Sequence, residues 1–129
     1  MLLYHFTEAA DWPGVLASGE IQPRWHRGSS PCTVHLTNDP DRGALPWRLR
    51  DRVVRIAVDV PDSDAHPWLP WAGRYLPPEE HFSLMAPSTV NQWNGRPECW
   101  FVVERPIRMD EWTCVDDVAE GASLWVADR

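Results

Sequence analysis

The sequence predicts an α+β domain in which strands dominate and helices are short. Runs rich in β-branched and aromatic residues recur at 2–7, 33–37, 52–60, 99–103 and 112–115, which is strand composition. Helical spacing of apolar residues is confined to short stretches such as Trp12, Val15 and Leu16, too brief for a long helix. Thirteen prolines interrupt the chain, about twice average usage, and nine tryptophans supply large anchors, as expected of loop-rich segments pinned by aromatic side chains.

Each element follows from its local residues. Residues 2–7 read as a strand that puts His5 and Thr7 on one face, two residues apart. Residues 8–18 read as a helix, with Pro13 tolerable only in its first turn, Thr7 a candidate N-cap and Gly19 a C-terminal stop. Residues 21–32 read as an irregular basic loop carrying Arg24, Trp25, His26 and Arg27. A strand over 33–37 precedes a short helix or turn near 39–45. The clearest strand runs from 52 to 60 and is ended by Pro61. Short helices are expected to start at His66–Pro67 and at Pro78. Asn94-Gly95 marks a turn. Strands over 99–103 and 112–115, a turn over 116–121 and an edge strand over 124–127 complete the chain. The long connection 61–97 is suited to covering a pocket.

Composition bounds the function. Residues 1–129 read as a single domain, long enough for a core without staples. No apolar run approaches the roughly 18 residues needed to span a membrane, and no signal peptide is visible, so the expected home is the cytoplasm. All 12 basic residues are arginine, which removes lysine nucleophiles and Schiff-base chemistry. The net charge of −7 argues against an extended contact with duplex nucleic acid. Arg48, Arg50, Arg52 and Arg55 form one small basic cluster, or a solvated loop leading into the strand. The three cysteines form no paired motif and read as buried thiols. Cys32-x-x-His35 supplies only two metal ligands, so no zinc site is expected. Trp100 reads as core, and Trp68 and Trp71 as core or as one wall of a pocket.

Three blocks resemble a known family. Tyr4-His5-Phe6-Thr7 with the following Trp-Pro-x-Val-Leu-x-x-Gly-x-Ile is the first. Thr33-Val34-His35-Leu36-Thr37-Asn38-Asp39-Pro40 is the second, and Glu98 through Ile107 is the third. In this order they resemble small bacterial ADP-ribosyltransferase-superfamily domains. These include RNA 2′-phosphotransferases, DNA ADP-ribosyltransferase toxins and rifamycin ADP-ribosyltransferases. The resemblance implies an ADP-ribosyltransferase-like fold of two small, mostly antiparallel sheets with short helices. It also implies a toxin-like transferase that moves ADP-ribose from NAD to a protein or small-molecule acceptor.

That reaction breaks the bond between nicotinamide and ribose through an oxocarbenium-like transition state. It needs a hydrogen bond to the ribose, an aromatic surface for nicotinamide, and a carboxylate facing the developing positive charge. By resemblance His5 binds the ribose, with Phe6 and Thr7 beside it. His35 and Thr37 fall where relatives cover the nicotinamide, and Trp25 is an alternative ring. Glu98 takes the place of the catalytic carboxylate, and Glu104 stands at the other end of the same strand. Arg24 or Arg27 suits the pyrophosphate, because the guanidinium fork matches phosphate oxygens. Structural roles compete for these residues: a satisfied strand-end histidine, a helix cap, exposed loop charges and a surface carboxylate paired with arginine. Two alternatives to ADP-ribosyl transfer remain: 2′-phosphotransfer from RNA to NAD, and a non-catalytic nucleotide-binding module of toxin–antitoxin or phage type.

Overall fold

The structure, a computed structural model, describes residues 1–25, 28–46, 49–76 and 95–128. The elements run β1 (Leu2–Thr7), α1 (Trp12–Ser18), β2 (Glu20–Ile21), β3 (Val34–Thr37), β4 (Val54–Asp59), β5 (His66–Pro67), α2 (Trp68–Tyr75), β6 (Trp100–Val103), β7 (Ile107–Arg108), β8 (Trp112–Asp117) and β9 (Ala122–Val126). Seven strands form one sheet in the order β5-β6-β3-β1-β4-β8-β9, and β2 and β7 form a separate pair. Every pairing is antiparallel. The α+β class holds, but the arrangement is one large sheet with a two-stranded ribbon rather than two small sheets. The difference lies in β1, which pairs on both sides and so joins β3–β6 to β4–β8.

Side-chain alternation sends the chain's apolar residues to two cores. Leu3, Val34, Leu36, Ile56, Val58, Val103, Ile107, Trp112 and Val115 bury one face, and Trp12 and Val15 of α1 pack onto it. On the other face Trp100 and Val102 meet Trp68, Trp71 and Ala72 of α2. Trp68 and Trp71 are therefore core, buried with Trp100 edge-on to Trp68 at 5.0 Å. The helix expected over 8–18 begins only at Trp12, with Pro13 in its first turn. Gly19 ends it at φ 71°, and its N–H reaches the Val15 carbonyl. Thr7 is not its cap, because Asp11 holds that position. The helix expected at Pro78 lies outside the described residues. No helix among the described residues is long and apolar enough to cross a membrane.

Arg105 fastens the connections below the sheet. Its guanidinium bonds Asp64 at 2.9 Å and Glu111 at 2.7 Å. That contact holds the Glu111 carboxyl below its ordinary pKa and Arg105 above its own. A second constraint sits at Gly95, at φ 74°, where a Cβ would collide with the carbonyl oxygens of Ala44 and Leu45. Gly95→Ala is expected to cost at least about 2 kcal/mol, through both the collision and the left-handed backbone. Urea denaturation checks it. An unchanged midpoint would show that the loop relaxes freely.

Candidate functional site

The candidate site forms where β1 and β3 part. β1 matches β4 along its whole length, from Leu2↔Asp59 to Thr7↔Val54. With β3 it shares only the Tyr4↔Thr37 register point. Toward Thr7 the His5 ring takes over, and its Nδ1 lies 2.9 Å from the His35 carbonyl oxygen. By alternation His5 stands between Leu3 and Thr7 on the first core face, level with Ile56 of β4. Leu3 and Ile56 are fully buried, and the half-buried His5 borders that apolar floor.

This position fixes the ring's chemistry. Desolvation pushes the His5 pKa down to about 4; the His35 carbonyl opposes the shift, while Arg52 and Arg24 reinforce it. The ring is therefore neutral at physiological pH. A carbonyl can only accept, so the hydrogen bond assigns the ring's one proton to Nδ1. Nε2 is left with a lone pair, an acceptor suited to a sugar hydroxyl.

The depressed pKa also sets a pH dependence. Between about 4 and 6.5 the unfolded chain binds a proton at this position that the folded chain does not. Stability contributed by neutral His5 is therefore complete above pH 6.5 and declines as pH falls toward 4, by up to roughly 3 kcal/mol. His5→Gln is expected to flatten that part of the pH–stability curve, as measured by urea unfolding. A parallel decline in parent and variant would refute it.

Two arginines complete the site. Arg24 belongs to the loop after β2, where its N–H and carbonyl each bond Thr33 at 2.9 Å. Arg52 precedes β4 by two residues, and Val54 pairs with Thr7. Alternation thus brings Arg52 onto the face that carries His5 and Thr7. Among the described residues neither arginine has a carboxylate partner. Arg55, Arg96, Arg105 and Arg108, in contrast, are ion-paired with Asp116, Asp39, Asp64 and Glu111, and Glu20. In a chain with 19 acidic residues, Arg24 and Arg52 place positive charge beside the neutral histidine that no carboxylate offsets among the described residues. The sequence left Arg52 open between a small basic cluster and a solvated strand entry; the alternation Arg52, Val54, Ile56 is the signal that puts it on the His5 face.

The other site candidates divide. Thr7 is 6% exposed at the end of β1, on the His5 side. Trp25 follows Arg24 and is 62% exposed, with its indole N–H bonded to the Gly28 carbonyl at 3.2 Å. Phe6 is buried and by alternation faces away from His5. Thr37 is fully buried, and its hydroxyl accepts the Asp39 N–H at 3.1 Å. The exposed His35 ring has Nε2 3.4 Å from the Thr33 hydroxyl, and its backbone carbonyl is what touches His5. His26, Arg27 and Arg48 lie outside the described residues. Arg50 bonds the Leu45 carbonyl, and Arg55 bonds the Pro40 carbonyl and lies over the Tyr4 ring, so both serve the fold. Cys32 is exposed rather than buried.

The two glutamates flank the row Tyr4–Thr37–Trp100 in opposite directions. Glu98 lies two residues before Trp100, in a 3₁₀ turn, and is exposed. Glu104 lies four residues after Trp100, toward the Thr7 end, and accepts the Trp71 indole N–H at 3.1 Å. Glu104 is thus tied to the second core, whereas no hydrogen bond holds the Glu98 carboxylate among the described residues. Open clefts of about 260 Å³ (Asp41, Gly43, Arg50, Gly95, Arg96) and 340 Å³ (Pro40, Asp41, Arg42, Arg55, Val118) do not include His5. Among the described residues no three His, Cys, Asp or Glu side chains are grouped to hold a metal ion.

Comparison with known proteins finds no matching family model, no matching curated protein and no matching solved structure.

Proposed function

We propose that this chain binds NAD beside His5 and transfers its ADP-ribose group to a protein or small-molecule acceptor. The observation that carries the reading is the neutral His5 ring flanked by Arg24 and Arg52, neither of which meets a carboxylate among the described residues. Nε2 accepts a hydrogen bond from a ribose hydroxyl, and the two guanidiniums take the pyrophosphate. The exposed Trp25 ring, next to Arg24, offers a flat surface for nicotinamide or adenine. In the transfer the glycosidic carbon–nitrogen bond breaks and its electron pair leaves with nicotinamide. The acceptor's nucleophile bonds the anomeric carbon and gives its proton to a carboxylate. The resemblance gives that role to Glu98, whose carboxylate no hydrogen bond holds among the described residues but which lies toward the Leu2 end of the sheet, away from the opening at Thr7; Glu104, at the Thr7 end, is held by Trp71.

A second reading has its own support. The charges acting on His5 are both arginine, with no carboxylate among them. That balance suits a phosphate at the reacting centre, as in 2′-phosphotransfer from RNA to NAD, or a module that binds nucleotides without chemistry. Incubation with labelled NAD separates the readings. Label on an acceptor supports ADP-ribosyl transfer. Loss of the 2′-phosphate from 2′-phosphorylated RNA, with that phosphate recovered on labelled ADP-ribose and nicotinamide released, supports phosphotransfer. Binding without turnover leaves the module.

A further inference from the structure

The two edges of the seven-stranded sheet differ. β5 is two residues long and contains Pro67, a blunted edge. β9 is five residues long, Ala122-Ser-Leu-Trp-Val126, with no proline and no charge. It ends the strand order, so its outer side has no partner strand among the described residues. The Ala127 N–H bonds back to the Thr113 carbonyl at 3.0 Å. The backbone N–H and carbonyl of Val126, one residue earlier, therefore point out of the sheet. Val126 is 65% and Leu124 39% exposed, whereas Trp125 turns inward against Trp112 at 5.6 Å. The register shift between Val115 and Asp116 bulges the strand near Leu124, which leaves the Val126 end as the straight portion.

Charge selects the occupant. Glu120 and Asp128 bracket β9, and neither has an ion-pair partner among the described residues. A second copy pairing antiparallel about Leu124 would set Glu120 against Asp128 twice, between two chains each of net charge −7. Those carboxylates repel a copy and attract a cationic strand.

We infer that β9 is a docking edge for an extended segment of a basic partner protein, which adds a strand at Val126 with its lysines or arginines over Glu120 and Asp128. The test is fluorescence anisotropy with two labelled peptides, Lys-Thr-Val-Thr-Val-Thr-Val-Thr-Lys and its glutamate-flanked counterpart. The lysine peptide should saturate, bind about tenfold or more tighter than the glutamate peptide, and weaken with salt. Val126→Pro removes an outward N–H and fixes φ at an edge-strand position where proline is tolerated, so the fold should persist by circular dichroism while binding is lost. Charge reversal at Glu120→Lys with Asp128→Lys should invert the peptide preference. The inference is overturned by absence of lysine-peptide binding, by equal binding of the two peptides, by a Val126→Pro variant that binds like the parent, or by sedimentation showing that the edge pairs two copies instead.

Discussion

Glu98→Gln is expected to leave NAD bound and to slow its turnover by about 10²–10⁴-fold. The substitution keeps the shape and removes the charge. Bound NAD carries little positive charge at the anomeric carbon, so the ground state loses little. The charge develops in the transition state, so the loss appears in kcat rather than in affinity. Glu104→Gln is the internal control. Its amide oxygen can still accept the Trp71 indole N–H, so activity should match the parent. Single-turnover kinetics on the two variants decide the matter. An inactive Glu104→Gln beside an active Glu98→Gln would place the carboxylate at the Thr7 end of β6. Full activity in both would remove this strand from the chemistry.

Arg24→Ala and Arg52→Ala should each weaken NAD binding by about ten- to hundredfold, the usual worth of a charge-assisted hydrogen bond. Because both face one site, their combined effect need not equal the sum. Arg52→Lys should recover only part of the loss, since an ammonium lacks the guanidinium fork. Arg42 lines a cleft that does not include His5, so Arg42→Ala should bind as the parent does. Affinity should also fall with salt in the parent and less so in the Arg24→Ala/Arg52→Ala double variant. Equal losses in all three single alanine variants would reduce the effect to net charge.

The parts legible in the sequence are those fixed by nearby residues. The His5–Thr7 strand, the Gly19 stop and the β8–β9 turn all depend on contacts a few positions apart. The parts that were not legible depend on pairing across the chain. That β1 joins strands on both sides is decided by where 34–37 and 54–59 land, which no local pattern states. The same pairing turns Arg52 from a loop charge into a neighbour of His5. It sends Phe6, next to His5 in sequence, and Thr37, two residues after His35, into the interior on the opposite face. Trp68 and Trp71 flank prolines and read as core or as a pocket wall; packing against Trp100 settles them as core. Thr7 could be read as a helix cap because the proline's place in the helix was known but its first residue was not.

The central claim is that a neutral His5 beside Arg24 and Arg52 receives the ribose and phosphates of NAD. Titration calorimetry with NAD at neutral pH, on the parent and on His5→Ala, tests it most directly. The parent should bind saturably, and His5→Ala should bind about 2- to 10-fold more weakly, the cost of one hydrogen bond to a sugar hydroxyl. A parent that takes up no NAD, or a His5→Ala variant with the parent's affinity, would contradict it.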